Sequence, residues 1–220
     1  MKKFIDLSKE PLMKKPAFTM LELVMVIVVL GILAVLAMPR LDRDLRQEAK
    51  DNILSAIRYT QHLALIDDKT DPTDPNWQRG LWQIRFATSN VTNRAFFYTI
   101  SSDAAPYNGA VSQNETAIDP ANGKHMYNVN ADTDIGSDES PNIFIGKTYS
   151  IDNIEFDGGC DNEQHIAFDH LGRPHTGIGD ATNNYSEYMT SDCTIEFEFA
   201  DNSTPLTVTI RTETGHVSAN

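Results

Sequence analysis

The sequence predicts an α+β fold: a long N-terminal helix, half membrane-spanning and half amphipathic, packed on a C-terminal antiparallel β-sheet domain. Three observations predict it. From Phe18 to Met38 there are 21 residues, and Glu22 is the only charged one. Apolar residues then recur every four positions from Leu41 to Ile57. Beyond residue 69 come short β-branched and aromatic runs, the clearest being Ile195, Phe197 and Phe199 alternating with Glu196 and Glu198. That alternation marks a sheet with one buried face.

Residues 1–17 read as a leader without a fold of its own, carrying Lys2, Lys3, Lys9, Lys14 and Lys15 against Asp6 and Glu10. Residues 18–39 follow as the apolar half of the helix. At about 1.5 Å per residue the 21-residue run is roughly 31 Å long, close to the roughly 30 Å of a bilayer's hydrocarbon core. An ionisable group inside such a span costs a few kcal/mol unless it is paired, so Glu22 reads as functional. No other residue of the span offers a charge to pair with it. A cut between Ala17 and Phe18 frees an α-amine, and one subunit's amine then meets a neighbour's Glu22 when helices stack with an axial offset.

The stretch Lys14-Lys15-Pro16-Ala17-Phe18-Thr19-Met20-Leu21-Glu22-Leu23 resembles the processing site of type IV prepilins and type II secretion pseudopilins. The resemblance implies a leader removed by a prepilin peptidase after Ala17 and methylation of the new amine on Phe18. It also implies assembly through stacked N-terminal helices, with Phe18, Glu22 and Pro39 in the filament contacts. Glu22 is then the fifth residue of the mature chain, where the family has its glutamate, and Pro39 matches the proline closing the apolar half of the family's helix. Ala17 departs from the glycine the family usually has before the cut. Two other readings stay open: a secretory signal peptide cut after Val35-Leu36-Ala37, and a plain single-pass anchor carrying an unrelated outer domain. The first is disfavoured because the run exceeds the roughly 7 to 15 residues of a signal-peptide core. Arg40, Arg43, Arg46, Lys50 and Arg58 balance the leader lysines, so the positive-inside rule does not orient the span.

Residues 40–68 predict the amphipathic half. Leu41, Leu45, Ala49, Ile53 and Ile57 form the stripe, widened by Leu54, Leu63, Ala64 and Ile66. Pro39 lacks an N–H and is expected to bend or open the helix where the stripe begins. The acidic segment from Asp67 to Asn76, with Pro72 and Pro75, ends it. Residues 69–220 then form a β-rich domain, which the resemblance places in the periplasm. Strands are expected at 81–87, 95–100, 143–145, 149–156, 165–168, 194–199, 206–210 and 216–218. The polar stretch 101–141 is expected to hold little regular structure.

The C-terminal part carries a second, less specific resemblance. Ile166-Ala167-Phe168-Asp169-His170-Leu171-Gly172-Arg173-Pro174, Cys193-Thr194-Ile195-Glu196-Phe197, Leu206-Thr207-Val208-Thr209-Ile210 and Thr214-Gly215-His216-Val217 together are similar to the end of the GspH/FimT group of minor pilins and pseudopilins. Some members of that group bind DNA through basic residues near this end. Here those positions offer only Arg211 among acids, and from residue 40 onward 13 Lys and Arg face 28 Asp and Glu. Such a surface repels phosphate backbones, so nucleic acid is not expected as a partner.

Cys160 and Cys193 are the only cysteines, and in an oxidising compartment they are expected to pair, two separate buried thiols being the alternative. A calcium site is a candidate at Asn130, Asp132, Asp134, Asp138 and Glu139 around Gly136, but Ile135 stands where an EF-hand needs its turn glycine. A solvated acidic loop is the competing reading, and neither a metal nor another cofactor is assigned. His165, His170 and His175 fall five apart across a turn and read as turn residues rather than ligands. No nucleophile elbow, phosphate-binding glycine loop or His-Glu-x-x-His motif is present, so an enzyme is not expected. The reading is therefore a minor pilin or pseudopilin of a type II secretion pseudopilus or type IV pilus. It is single-pass in the bacterial inner membrane with its C-terminal domain in the periplasm, and filamentous after assembly. Its partners are other pilins or pseudopilins, the prepilin peptidase and an inner-membrane assembly platform. The alternative is a binding module on a single-pass anchor, with an acidic, calcium-competent outer domain.

Overall fold

A computed structural model describes residues 19–89, 95–109, 111–128, 135–161, 164–180 and 187–220, and within these the side chains of all but 35–44 and 180. The chain divides into two compact units, Met1–Arg43 and Asp44–Asn220. Helix α1 is Met20–Ile66.

The second unit adds the short helix α2, Ile145–Tyr149, and eight strands: β1 Trp82–Ser89, β2 Ala95–Ser101, β3 Ile151–Gly158, β4 His165–Phe168, β5 Pro174–His175, β6 Cys193–Phe199, β7 Leu206–Ile210 and β8 Val217–Ala219. They form two four-stranded sheets, in the orders β2-β1-β4-β5 and β3-β6-β7-β8. Every pairing is antiparallel. Alternation decides which side chains go inside: β6 and β7 bury every second residue, Ile195, Phe197 and Phe199 on one and Leu206, Val208 and Ile210 on the other. Phe86 of the first sheet meets Phe197 and Phe156 of the second, with ring centroids 5.6 and 6.0 Å apart. Ala49, Ile53, Leu54, Ile57 and Ala64 of α1 are buried in the same cluster. Leu45 and Ile66, expected in the stripe, are exposed.

The predicted architecture is corrected on two counts. The strands divide into two sheets where one sheet beneath a long helix was expected. Alternation names a buried face but not a pairing partner, so it does not distinguish one sheet from two. Secondly, among the described residues no helix is long and apolar enough to cross a membrane. The membrane-spanning half of the helix and the single-pass inner-membrane placement with a periplasmic domain are therefore withdrawn. Helix and antiparallel sheet in one chain remain loosely α+β.

Smaller differences have local causes. The run Ile143 to Ile145, expected as a strand, closes a 3-10 turn at Pro141–Ile143 and opens α2. Ser140 caps that turn by accepting the Asn142 N–H at 3.2 Å, with Pro141 preset for its first position. Gly146 then lets α2 lie close to β3, since a Cβ there would stand 2.9 Å from the Ile151 carbonyl oxygen. Within 101–141 the chain makes a 3-10 turn at Gln113–Glu115 and isolated bridges, Ser101 with Thr116 and Ile118 with His125.

Candidate functional site

The first unit carries the residues singled out for assembly. Thr19 directly precedes α1 and Glu22 lies in its first turn. The Thr19 N–H and hydroxyl each donate to Glu22 Oε2 at 3.0 Å, and the Glu22 N–H donates to Thr19 Oγ1 at 3.3 Å. This reciprocal capping box satisfies N–H groups that a helix start leaves unpaired. Glu22 thus has a local partner that the sequence reading did not assign, although the Thr-x-x-Glu spacing signals it. Both bonds fall on one carboxylate oxygen, and Oε1 takes none among the described residues. Ala17 and Phe18 lie outside the described residues. Pro39 lies within α1 and does not end it; its side chain is not described.

After the capping box the helix is apolar all round. From Met20, 86 % exposed, to Leu33, 56 % exposed, every large apolar side chain stands open. A helix with no polar face is normally a buried one, so this stretch calls for cover that the described residues do not supply.

In the second unit, Gln61 of α1 ties together the two turns that carry the C-terminal resemblance. Its Nε2 donates to the Gly172 carbonyl at 2.8 Å, in the β4 to β5 turn, and to the Thr214 carbonyl at 3.1 Å, in the β7 to β8 turn. Gly172 and Gly215 both adopt positive φ, 78° and 61°. A Cβ on Gly215 would collide with the Gly172 carbonyl oxygen and with Gln61 Nε2. Each turn belongs to a different sheet, so one helix amide holds both.

Beside this node lies a buried ionic cluster. Asp169 accepts the Leu171 and Arg173 N–H groups at 2.9 Å and Arg173 Nε at 2.8 Å, and lies 3.3 Å from His175 Nε2. Burial alone would push the Asp169 carboxyl up, but the bonds from His175, Arg173 and the backbone outweigh it and hold the group well below the usual carboxylate range. His175 also meets the Tyr188 ring at 5.6 Å, and the Arg173 guanidinium lies 5.3 Å from the same ring.

Of the three histidines, His170 and His175 take different partners. His170 bonds Thr70 at 3.1 Å, and His175 lies 3.3 Å from Asp169. Asn130, Asp132 and Asp134 of the calcium loop lie outside the described residues. Asp138 accepts from Gln113 at 2.7 Å, while Glu139 accepts from Asn128 at 3.1 Å and from the Gly136 N–H at 2.9 Å. Among the described residues no group of three or more His, Cys, Asp or Glu is placed to hold a metal ion. Arg211 pairs with Asp192. Cys160 and Cys193 form a disulfide, with Cα atoms 5.1 Å apart. It fastens the end of β3 to the start of β6, where Gly158 pairs with Cys193. No family model matches the chain, and neither does any curated protein or solved structure.

Proposed function

We propose that the chain is a minor pilin or pseudopilin, a subunit of a type II secretion pseudopilus or a type IV pilus, assembled through its processed N-terminal helix. The observation that carries this reading is the bare apolar helix that follows the Thr19–Glu22 capping box. Stacked helices of sister subunits would cover it, with the hydrophobic effect as the drive. A freed Phe18 amine on one subunit would meet Glu22 Oε1 on the next, leaving the capping bonds on Oε2 in place. The partners are then other pilins or pseudopilins, a prepilin peptidase that cuts after Ala17, and an assembly platform that inserts the subunit. The second unit presents its two sheets on the filament's surface.

Sequencing the mature polypeptide tests the processing step. The expected chain begins at Phe18 with a methylated amine. A mature start after Ala37, or an uncut leader in the assembled protein, contradicts the reading.

A further inference from the structure

Among the described residues, three of the four sheet edges are covered. The Ile100 carbonyl of β2 accepts the Ala117 N–H at 2.8 Å, and the Pro174 carbonyl of β5 accepts the Met189 N–H at 3.2 Å. The Val217 carbonyl of β8 accepts Arg58 Nη2 at 3.0 Å. Strand β3 pairs with β6 alone. The Gly159 N–H donates to the Asp192 carbonyl at 2.9 Å, so antiparallel alternation turns the backbone of Asp157 and Glu155 toward β6 and that of Ile154 and Phe156 away from it. These outward N–H and carbonyl groups of Ile154 and Phe156 have no hydrogen-bond partner among the described residues.

A second observation lies on the inner face. Cross-strand partners share a face, so Ile154 and Phe156 point inward with Phe197 and Ile195. Phe197 and Ile195 are fully buried, whereas Ile154 and Phe156 are only partly so. Together with the partly buried Phe96 they line a cleft of about 520 Å³, whose lining also includes Arg85 and Asp161, of opposite charge. A strand laid along β3 would send every second side chain into this cleft.

The third observation is the charge on the outer face. Glu155 stands directly opposite Glu196, and Asn153 Nδ2 donates to Glu155 and to Glu198 at 3.1 Å each. No cation among the described residues pairs with any of these three carboxylates. Like charges directly opposite each other destabilise a sheet, and a Lys or Arg beside Glu155 would relieve them. The same carboxylates, with the exposed Asp152 and Asp157, would repel the β3 edge of a second copy.

We propose that β3 is a docking edge for an extended segment of another protein, in which apolar residues alternate with Lys or Arg, added as a fifth strand to the sheet β3-β6-β7-β8. The segment's main chain bonds Ile154 and Phe156, its apolar side chains enter the cleft and its cations face Glu155. The edge is separate from the helix start, and it docks the segment whether or not the chain forms filaments.

The probe is a fluorescein-labelled peptide of about seven residues alternating Lys and Val, the length of an ordinary strand. It is titrated with the full chain in a non-ionic detergent and read by anisotropy. The expected result is saturable binding that weakens about fivefold or more in Glu155→Lys, a substitution at an exposed position. A peptide with Ser in place of Val should bind about tenfold or more weakly, since the cleft then takes no apolar side chain. Two further peptides, N-methylated on every Lys or on every Val, keep the charges but each block one main-chain edge. One of them should lose binding and the other retain it. Four results would overturn the proposal: no saturable binding of the Lys and Val peptide up to about 1 mM; affinity matched by the Ser peptide or by both N-methylated peptides, which would mark adhesion by charge alone; unchanged affinity in Glu155→Lys; or quantitative disulfide formation between two Glu155→Cys chains without peptide, which would give the edge to a second copy.

Discussion

The carboxylate of Glu22 closes back on Thr19, taking that residue's N–H and hydroxyl on a single oxygen at 3.0 Å each. An acid in an apolar stretch thus has work within its own chain, while its second oxygen takes no bond among the described residues. Capping and pairing between subunits are compatible, and substitutions can separate them.

Thr19→Ala removes the cap and leaves the charge. Loss of an N-cap typically costs about 1 kcal/mol, so faster amide exchange is expected in the first turn of α1. Assembly should persist, because Glu22 still carries its carboxylate. Exchange mass spectrometry beside a filament sedimentation assay checks both parts.

Gly215→Ala should be among the most damaging substitutions in the second unit. Its φ of 61° strains any side chain, and the new methyl would meet the Gly172 carbonyl oxygen. A loss of about 2 to 4 kcal/mol is expected from strain and clash together. Gln61→Ala, which only unties two carbonyls, should cost about 1 to 2 kcal/mol. Urea titrations of both variants give the comparison, and an equal loss in the two would count against the node as described.

Removing the disulfide should weaken the second unit without redrawing it. The bond links residues 33 apart in sequence, for which chain entropy gives about 3 to 4 kcal/mol. A Cys160→Ala, Cys193→Ala double variant should therefore melt about 10 °C lower with an unchanged far-ultraviolet circular dichroism spectrum. Because both cysteines are fully buried, dithiothreitol should reduce the native protein only slowly.

Asp169 predicts a pH dependence. Its carboxyl titrates lower when folded than when unfolded, so its stabilisation is complete above the ordinary aspartate value of about 3.9 and is lost as pH falls below it. Asp169→Asn leaves Arg173 and His175 without their carboxylate and should cost about 3 kcal/mol at neutral pH. The gap between variant and parent should narrow between pH 7 and pH 3, as unfolding curves at the two would show.

Strand content was legible where burial is one-sided, as at Ile195 to Phe199, because a period of two leaves little else for the residues to do. Pairing was not: β3 and β4 are neighbours in the chain yet belong to different sheets. Strand β5 has two residues, too few for any periodicity. The run Ile143 to Ile145 was ambiguous by length, and Ser140-Pro141 just before it was the neglected helix signal. At the candidate site, Thr-x-x-Glu was present in the sequence, but a glutamate at the start of an apolar run reads equally as an unpaired charge and as a cap. Gln61 could not be found this way, since a polar residue gives no hydrophobic pattern and its partners lie more than a hundred residues away.

Glu22→Gln tests assembly most directly, because glutamine still closes a capping box while the charge is gone. The variant should fold, keep its helix start and be processed normally, yet fail to sediment as filaments alongside its parent. Filaments formed by Glu22→Gln in parental yield would contradict the pairing of Glu22 with a neighbour's amine, and with it the account of how the subunit assembles.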